Sequence, residues 1–268
     1  MQQASSAPLP SPSPPRVSRL WYADWFNNPA YHVLYQNHDE TEARQAIDSL
    51  LCALRLPQEA RLLDLACGKG RHARYLAQKG YDVTGLDISA NSIATAQAYA
   101  HERLHFYRHD MRKPFRIRYF DAILNFFTSF GYFDREADHL RTLQNVSLGL
   151  TAQGLFLLDF FNARYVREHL VEAECKELDG YAFDIERRCD TTHVYKRIAV
   201  RYPDGCRREF TERVRLYELS DFEAMFALSG LQLRNAYGDY ALQAFDPVGS
   251  PRLILIAEKK GKRCGSGF

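Results

Sequence analysis

Between residues 61 and 161, apolar stretches of strand length alternate with segments of helical spacing. The strands read as 61–66 (RLLDLA), 82–87 (DVTGLD), 104–109 (LHFYRH), 120–127 (FDAILNFF) and 154–161 (GLFLLDFF). A glycine turn and a helix closed by Gly80 follow the first. A helix from Ser89, which can cap it, to 102 follows the second. A helix over about 134–149 precedes the fifth. Short connections between such units force a parallel, doubly wound sheet. The fourth strand is nearly continuously apolar, as burial on both faces requires. Right-handed crossovers bring the strand C-termini to one edge, and ligands bind outside that edge at the switch point.

The flanks differ. Residues 20–35 read as two short helical pieces broken at Pro29. Ala43, Ile47, Leu50, Leu51 and Leu54 give helical spacing over 40–54, stopped by Pro57. After residue 171 three strand-like segments (181–190, 192–202, 206–219) share a turn at Asp204-Gly205. Ser220 is positioned to cap a helix ending at Gly230. Strands 231–240 and 252–260 are joined too tightly for a parallel crossover. The expected fold is therefore α/β: a Rossmann-like, doubly wound, mostly parallel seven-stranded sheet with an antiparallel last strand, plus a small antiparallel β insertion. We place a Pro/Ser-rich unpacked tail at 1–19, a single domain at 20–260 and a frayed end at 261–268. Within the domain, 20–56 form a helical lid and 172–217 the insertion.

Composition removes several classes. Apolar residues at 46% and charged residues at 25% allow a large core and exclude a wholly disordered chain. A net charge of +2 gives no global field for nucleic acid. The six cysteines are scattered without a C-x-x-C, so no metal site and no disulfide framework is expected. Without an apolar leader core or a membrane-length apolar run, a cytoplasmic protein with no membrane partner is expected.

The turn after the first strand reads DLACGKGRHA. Small residues there let a ligand approach the backbone, and the helix start offers free N–H groups. Seventeen positions after Gly70, Asp87 ends the second strand, where a carboxylate can accept both ribose hydroxyls of an adenosine. Gly68-x-Gly70-x-x-Ala73 also satisfies the dinucleotide pattern, so a nicotinamide dehydrogenase stays open as an outside reading. Three features favour another adenosyl ligand: Asp64 inside the first strand, His109-Asp110-Met111 after the third, and the antiparallel closing pair.

In combination and order, these motifs resemble the class I S-adenosylmethionine-dependent methyltransferases. DLACGKGRHA, GLDIS, HDM and FDAILNFFTSFGYF are similar to that family's successive motifs. With TSFGYF and a late GDY…FD…S-x-R stretch, the chain most resembles an uncharacterised bacterial group within it. The resemblance implies S-adenosyl-L-methionine as cofactor. It puts Asp64, Ala66, Cys67, Gly68 and Gly70 at the cofactor's amino-acid end. Asp87 falls at the ribose with Ile88 beside the adenine, Asp110 and Met111 at the adenine, and Asn125 and Phe126 beside the methionine moiety. Tyr22 and Tyr35 are cofactor candidates by lid position alone. Many members carry glycine where this chain has His72, which either lines the cofactor or caps the helix.

Methyl transfer from an activated sulfonium needs alignment before it needs a base. No catalytic residue is assigned; His32, His38, Asp159 and Tyr132 are base candidates that more often serve structure. The aromatic supply around the site, Trp25, Phe26, Tyr31, Phe127, Phe130, Phe133, Phe160 and Tyr165 among it, suits a cation or simply a core. Nine basic residues lie between Arg187 and Arg215, with acids interleaved, and read as a solvated, salt-laced sheet. A small-molecule acceptor is favoured. The alternatives are an RNA- or protein-directed methyltransferase using the basic insertion and a non-catalytic cofactor-binding module.

Overall fold

The computed structural model describes residues 21–36 and 40–260. The tails expected at 1–19 and 261–268, and the base candidate His38, lie outside the described residues.

The chain opens with three helices, α1 (Trp21–Phe26), α2 (Pro29–Leu34) and α3 (Glu40–Leu54). The two expected pieces are present, and Pro29 begins the second of them. It occupies the first turn, where its missing N–H costs nothing, and Asn28 caps the helix by accepting from Ala30 N at 2.9 Å. The alternation follows as β1 (Arg61–Leu65), α4 (Arg71–Gln78), β2 (Asp82–Asp87), α5 (Ala90–Ala96), β3 (Leu104–Arg108), β4 (Phe120–Asn125), α6 (Glu136–Gly149) and β5 (Leu150–Phe161). Ser89 caps α5 through Ser92 N, but that helix tightens to a 3₁₀ turn at Gln97–Tyr99 and stops before 102. The short α7 (Ala163–Glu168) then leads into β6 (Ala173–Leu178), β7 (Tyr181–Cys189), β8 (His193–Arg201) and β9 (Arg207–Arg215). Finally come α8 (Leu219–Leu228), β10 (Leu231–Tyr237) and β11 (Arg252–Lys259).

Seven strands form the central sheet in the order β10-β11-β5-β4-β1-β2-β3. All are parallel except β11, which runs antiparallel to both β5 and β10. The last strand thus lies inside the sheet, which is why its central residues are buried on both faces. The order reverses between β1 and β4, so the C-termini of those strands mark the switch point.

The insertion is a four-stranded antiparallel sheet, β6-β7-β8-β9, one strand more than the pattern shows. β6 reads AECKEL and is largely exposed at the sheet edge. An edge strand needs no apolar face, so its sequence carries no alternation to detect. The cap of α8 also differs from expectation. Glu218, not Ser220, stands at the N-cap, in a reciprocal capping box with Asp221. The Glu218 amide donates to Asp221 Oδ2 at 2.8 Å, and Ser220 falls inside the helix.

The N-terminal helices bridge the two sheets. Trp25 packs on Phe210 of β9 with ring centroids 4.5 Å apart, in a cluster with Ile185 and Ile198. On the other side, Ser89 Oγ at the head of α5 donates to Asn27 Oδ1 at 2.8 Å.

Candidate functional site

A cavity of about 1020 Å³ opens between the switch-point edge, the N-terminal helices and the inner face of the second sheet. Of the fourteen residues singled out as cofactor contacts, Tyr22, Tyr35, Ala66, Cys67, Gly68, His72, Asp87, Ile88, Asp110, Met111 and Phe126 line it. Asp64, Gly70 and Asn125 stand behind that lining.

The first wall is built from backbone. Ala66, Gly68 and Gly70 all take positive φ (67°, 54° and 78°), which folds the turn tightly after β1. A Cβ on Gly70 would stand 2.5 Å from the Phe106 ring, and one on Gly85 2.8 Å from Cys67 Sγ. Only glycine satisfies both the conformation and the contact at position 70. Asp87 is held by two amides, Gly68 N at 2.8 Å and Ser89 N at 2.7 Å. Burial nonetheless raises its carboxyl above the ordinary range. Gly70, not His72, is the N-cap of α4. The helix-cap reading of His72 therefore fails; its ring stacks on Phe127 at 5.0 Å and faces the cavity.

Two polar atoms at the switch point are buried and have no hydrogen-bond partner among the described residues. Asp64 is 1% exposed and its Oδ2 has no hydrogen-bond partner. Burial, reinforced by the neighbouring Asp87, pushes its carboxyl up to about 7. Asn125 donates through Nδ2 to Leu65 O at 2.8 Å, pinning the splay between β1 and β4, while its Oδ1 finds no partner. Orphaned acceptors of this kind each cost about 1–3 kcal/mol unless a ligand meets them.

Asp110 and Met111 follow β3. The Asp110 carboxylate is gripped by Arg112 at 2.7 Å, which holds it below the ordinary range against the opposing effect of burial. Phe127 and Thr128, just after β4, take left-handed φ values of 52° and 59°. Fully buried Asp159 enforces this by accepting from Phe127 N at 2.8 Å and by offering its carbonyl to Thr128 N. Its oxygens also accept from Tyr240 Oη and from the Arg252 guanidinium. Asp159 is therefore committed to holding the loop and is withdrawn as a base. Tyr132 is withdrawn too: its hydroxyl donates to Thr128 O, and burial raises it well above the ordinary phenol range.

His32 stands differently. It lines the cavity, its Nε2 is buried without a hydrogen-bond partner among the described residues, and burial beside Lys69 lowers the imidazole to about 4. Tyr22 is buried against Phe133. Tyr35 turns its hydroxyl to the second sheet, donating to Glu212 Oε1 and accepting from Lys196 Nζ, both at 2.7 Å. Lys196 and Glu212 were invisible as site residues in the sequence, where they are two members of a mixed charge run.

Residues 62–154 match the family model described as a methyltransferase domain. The chain is 27% identical over 213 residues to a putative methyltransferase of Bacillus subtilis, covering 76% of this chain and 86% of that protein. It is 26% identical over 212 residues to the dTDP-3-amino-3,6-dideoxy-alpha-D-glucopyranose N,N-dimethyltransferase of Streptomyces fradiae, covering 76% and 82%. An S-adenosylmethionine-dependent methyltransferase from Clostridium acetobutylicum shares the fold, with a TM-score of 0.73 at 19% identity over 86% of this chain and 96% of that one.

Proposed function

We propose that this chain, a class I S-adenosylmethionine-dependent methyltransferase, methylates an amine nitrogen of a small-molecule acceptor. The observation that carries the reading is the pair of orphaned acceptors, Asp64 Oδ2 and Asn125 Oδ1, buried at the switch point directly behind the Leu65–Ala66–Cys67 and Phe126 lining of a cavity of about 1020 Å³. A single drug-sized ligand occupies a pocket of about 300–1,000 Å³. The Streptomyces relative's named activity on an amino sugar supports nitrogen as the target.

The residues fit the cofactor. Asp64 is a buried carboxyl awaiting a cation, which suits the cofactor's ammonium. Asp87 retains lone pairs beside its two amide bonds for the ribose hydroxyls. Ile88, Met111 and Tyr22 supply flat apolar surface for the adenine, with Asp110 at its rim. Ala66, Cys67, Gly68 and Gly70 shape the turn, and Asn125, Phe126 and His72 border the methionine side. Tyr35 offers only its ring, because its hydroxyl is spent elsewhere. Bound there, the cofactor supplies an electrophilic methyl group on a sulfonium.

The chain's own part is positioning. Apolar walls favour a neutral amine over an ammonium. His32, neutral at physiological pH, accepts an N–H of that amine through Nε2 and fixes the direction of the lone pair. Methylating a neutral amine needs no proton removal beforehand, so the low basicity of His32 is no handicap. Five free cysteines among the described residues support a reducing, cytoplasmic setting, and no described helix is long and apolar enough to cross a membrane. Calorimetric titration with S-adenosylmethionine, S-adenosylhomocysteine and NADH tests the cofactor half. The two adenosyl ligands should bind and NADH should not. A mass-spectrometric screen of amines and their hydroxyl counterparts tests the acceptor half; methylation confined to hydroxyls would overturn it.

A further inference from the structure

Strand register divides the basic run of the insertion in two. Arg187 of β7, Lys196 of β8 and Glu212 of β9 lie directly opposite one another, forming one rung across three strands. Side chains on such a rung share a face. The rungs two residues away on that face hold Ile185, Ile198 and Phe210 on one side and Val194 and Val214 on the other. The rung is thus bordered by apolar side chains on β7, β8 and β9, with Glu174 of the edge strand β6 beside Ile185 as the nearest further charge on that face, and all three members of the rung line the cavity.

Their bonding is uneven. The Arg187 guanidinium is fixed by Glu174 at 2.5 Å and by Val171 O at 3.2 Å. Glu212 Oε1 accepts from two neutral donors, Trp25 Nε1 at 2.6 Å and Tyr35 Oη at 2.7 Å. Lys196 donates one hydrogen bond, to the Tyr35 hydroxyl, and its ammonium stands 4.5 Å from the centre of that ring. An ammonium has three donors. Among the described residues two have no hydrogen-bond acceptor and no carboxylate lies within ion-pairing distance of Nζ, although burial holds this lysine below its ordinary basicity. A cation kept half-satisfied in an enclosed apolar wall is costly unless a ligand completes it.

We propose that Lys196, flanked by Arg187 and oriented by the Tyr35–Glu212 pair, binds an anionic oxygen group of the methyl acceptor, a carboxylate or a phosphate. This deepens the reading of a small amine acceptor and rests on it. The acceptor then spans the cavity, its anion on the second sheet and its nitrogen toward the switch-point edge. Selectivity follows, because an acceptor without the anion leaves Lys196 unsatisfied.

The test is calorimetric titration of the protein saturated with S-adenosylhomocysteine, at fixed ionic strength, using sodium malonate and sodium pyrophosphate as separate probes. One of them should bind the wild type, and which one separates a carboxylate from a phosphate source. Lys196→Met, close in volume and uncharged, should weaken that probe at least about tenfold. Lys196→Arg should restore most of it, and S-adenosylhomocysteine affinity should stay within about twofold in both variants. Neither probe binding, or equal binding by Lys196→Met, overturns the proposal. Failure of S-adenosylhomocysteine to bind would strike the cofactor assignment instead, and the same probes titrated into ligand-free protein still decide the role of Lys196.

Discussion

The two walls of the cavity hold charge in opposite ways. At the parallel-sheet edge, Asp87 is met by backbone amides and Asp64 keeps one oxygen with no hydrogen-bond partner among the described residues. On the antiparallel sheet, charge is met by side chains: Arg187 by Glu174, and Lys196 and Glu212 by the hydroxyl of Tyr35. The first wall is rigid because its shape resides in φ angles and in glycine contacts that no other residue can make. The second is a set of exchangeable side chains on a regular ladder. A cofactor common to many enzymes is suited to the first kind of wall, and an acceptor that differs between enzymes to the second.

The largest effects are expected where the backbone wall loses its anchor. Asp87→Ala removes the acceptor for Gly68 N and Ser89 N together with the proposed ribose contact. Hydrogen bonds to a charged group contribute about 1.5–3 kcal/mol each, so S-adenosylhomocysteine affinity should fall about 100-fold. Asp87→Asn, which keeps one oxygen, should lose about tenfold. Calorimetry at one salt concentration measures both. Unchanged affinity in the alanine variant would mean that the first wall does not hold the ribose.

Gly70→Ala asks whether that wall tolerates any side chain. At φ 78° the added methyl is strained and meets Phe106 at 2.5 Å. Left-handed strain with this overlap should cost about 2 kcal/mol, read as a lowered denaturation midpoint. An unaltered midpoint would show the turn to be as adaptable as the opposite sheet, and the contrast between the walls would collapse.

This contrast also explains what was legible beforehand. The glycine turn, Asp64, Asp87 and the switch point could be read because backbone geometry restricts residue type at fixed spacings. The antiparallel closing strand was legible from the length of a connection. Lys196 was not, since Lys196 and Arg197 are adjacent in sequence and only the register with β7 and β9 turns one inward and the other outward. β6 was missed because an exposed edge strand need not alternate. Asp159 drew attention as a base, when its partners Tyr240 and Arg252 lie more than eighty residues away and only folding joins them.

The orphaned carboxyl of the first wall gives a pH dependence. Asp64 titrates near 7 in the folded chain and near 3.8 as a free carboxyl. Its raised value means that its contribution to stability is present below about 3.8 and is lost as pH rises through about 7. A ligand ammonium reverses this by favouring the charged form, so binding releases a proton below pH 7. S-adenosylhomocysteine affinity should therefore rise about tenfold from pH 6 to pH 8, as the ionised fraction climbs. Asp64→Asn should flatten the profile. A flat profile in the wild type would remove Asp64 from the ammonium contact.

The smallest effect is expected one residue from the proposed acceptor contact. Arg197 points outward from β8 and bridges Glu186 at 3.0 Å and Glu209 at 2.7 Å, with its side chain 46% exposed. Exposed pairs of this sort contribute about 0–1 kcal/mol, because water screens them and two long side chains must be ordered. Arg197→Ala should lower the unfolding free energy by no more than about 1 kcal/mol. It should leave malonate and pyrophosphate binding unchanged, while Lys196→Met, adjacent in the chain, weakens whichever probe is accepted at least about tenfold. Equal losses from the two substitutions would mean that the sheet attracts anions through its overall charge. Loss at Lys196 alone would locate the recognition on one rung of one face.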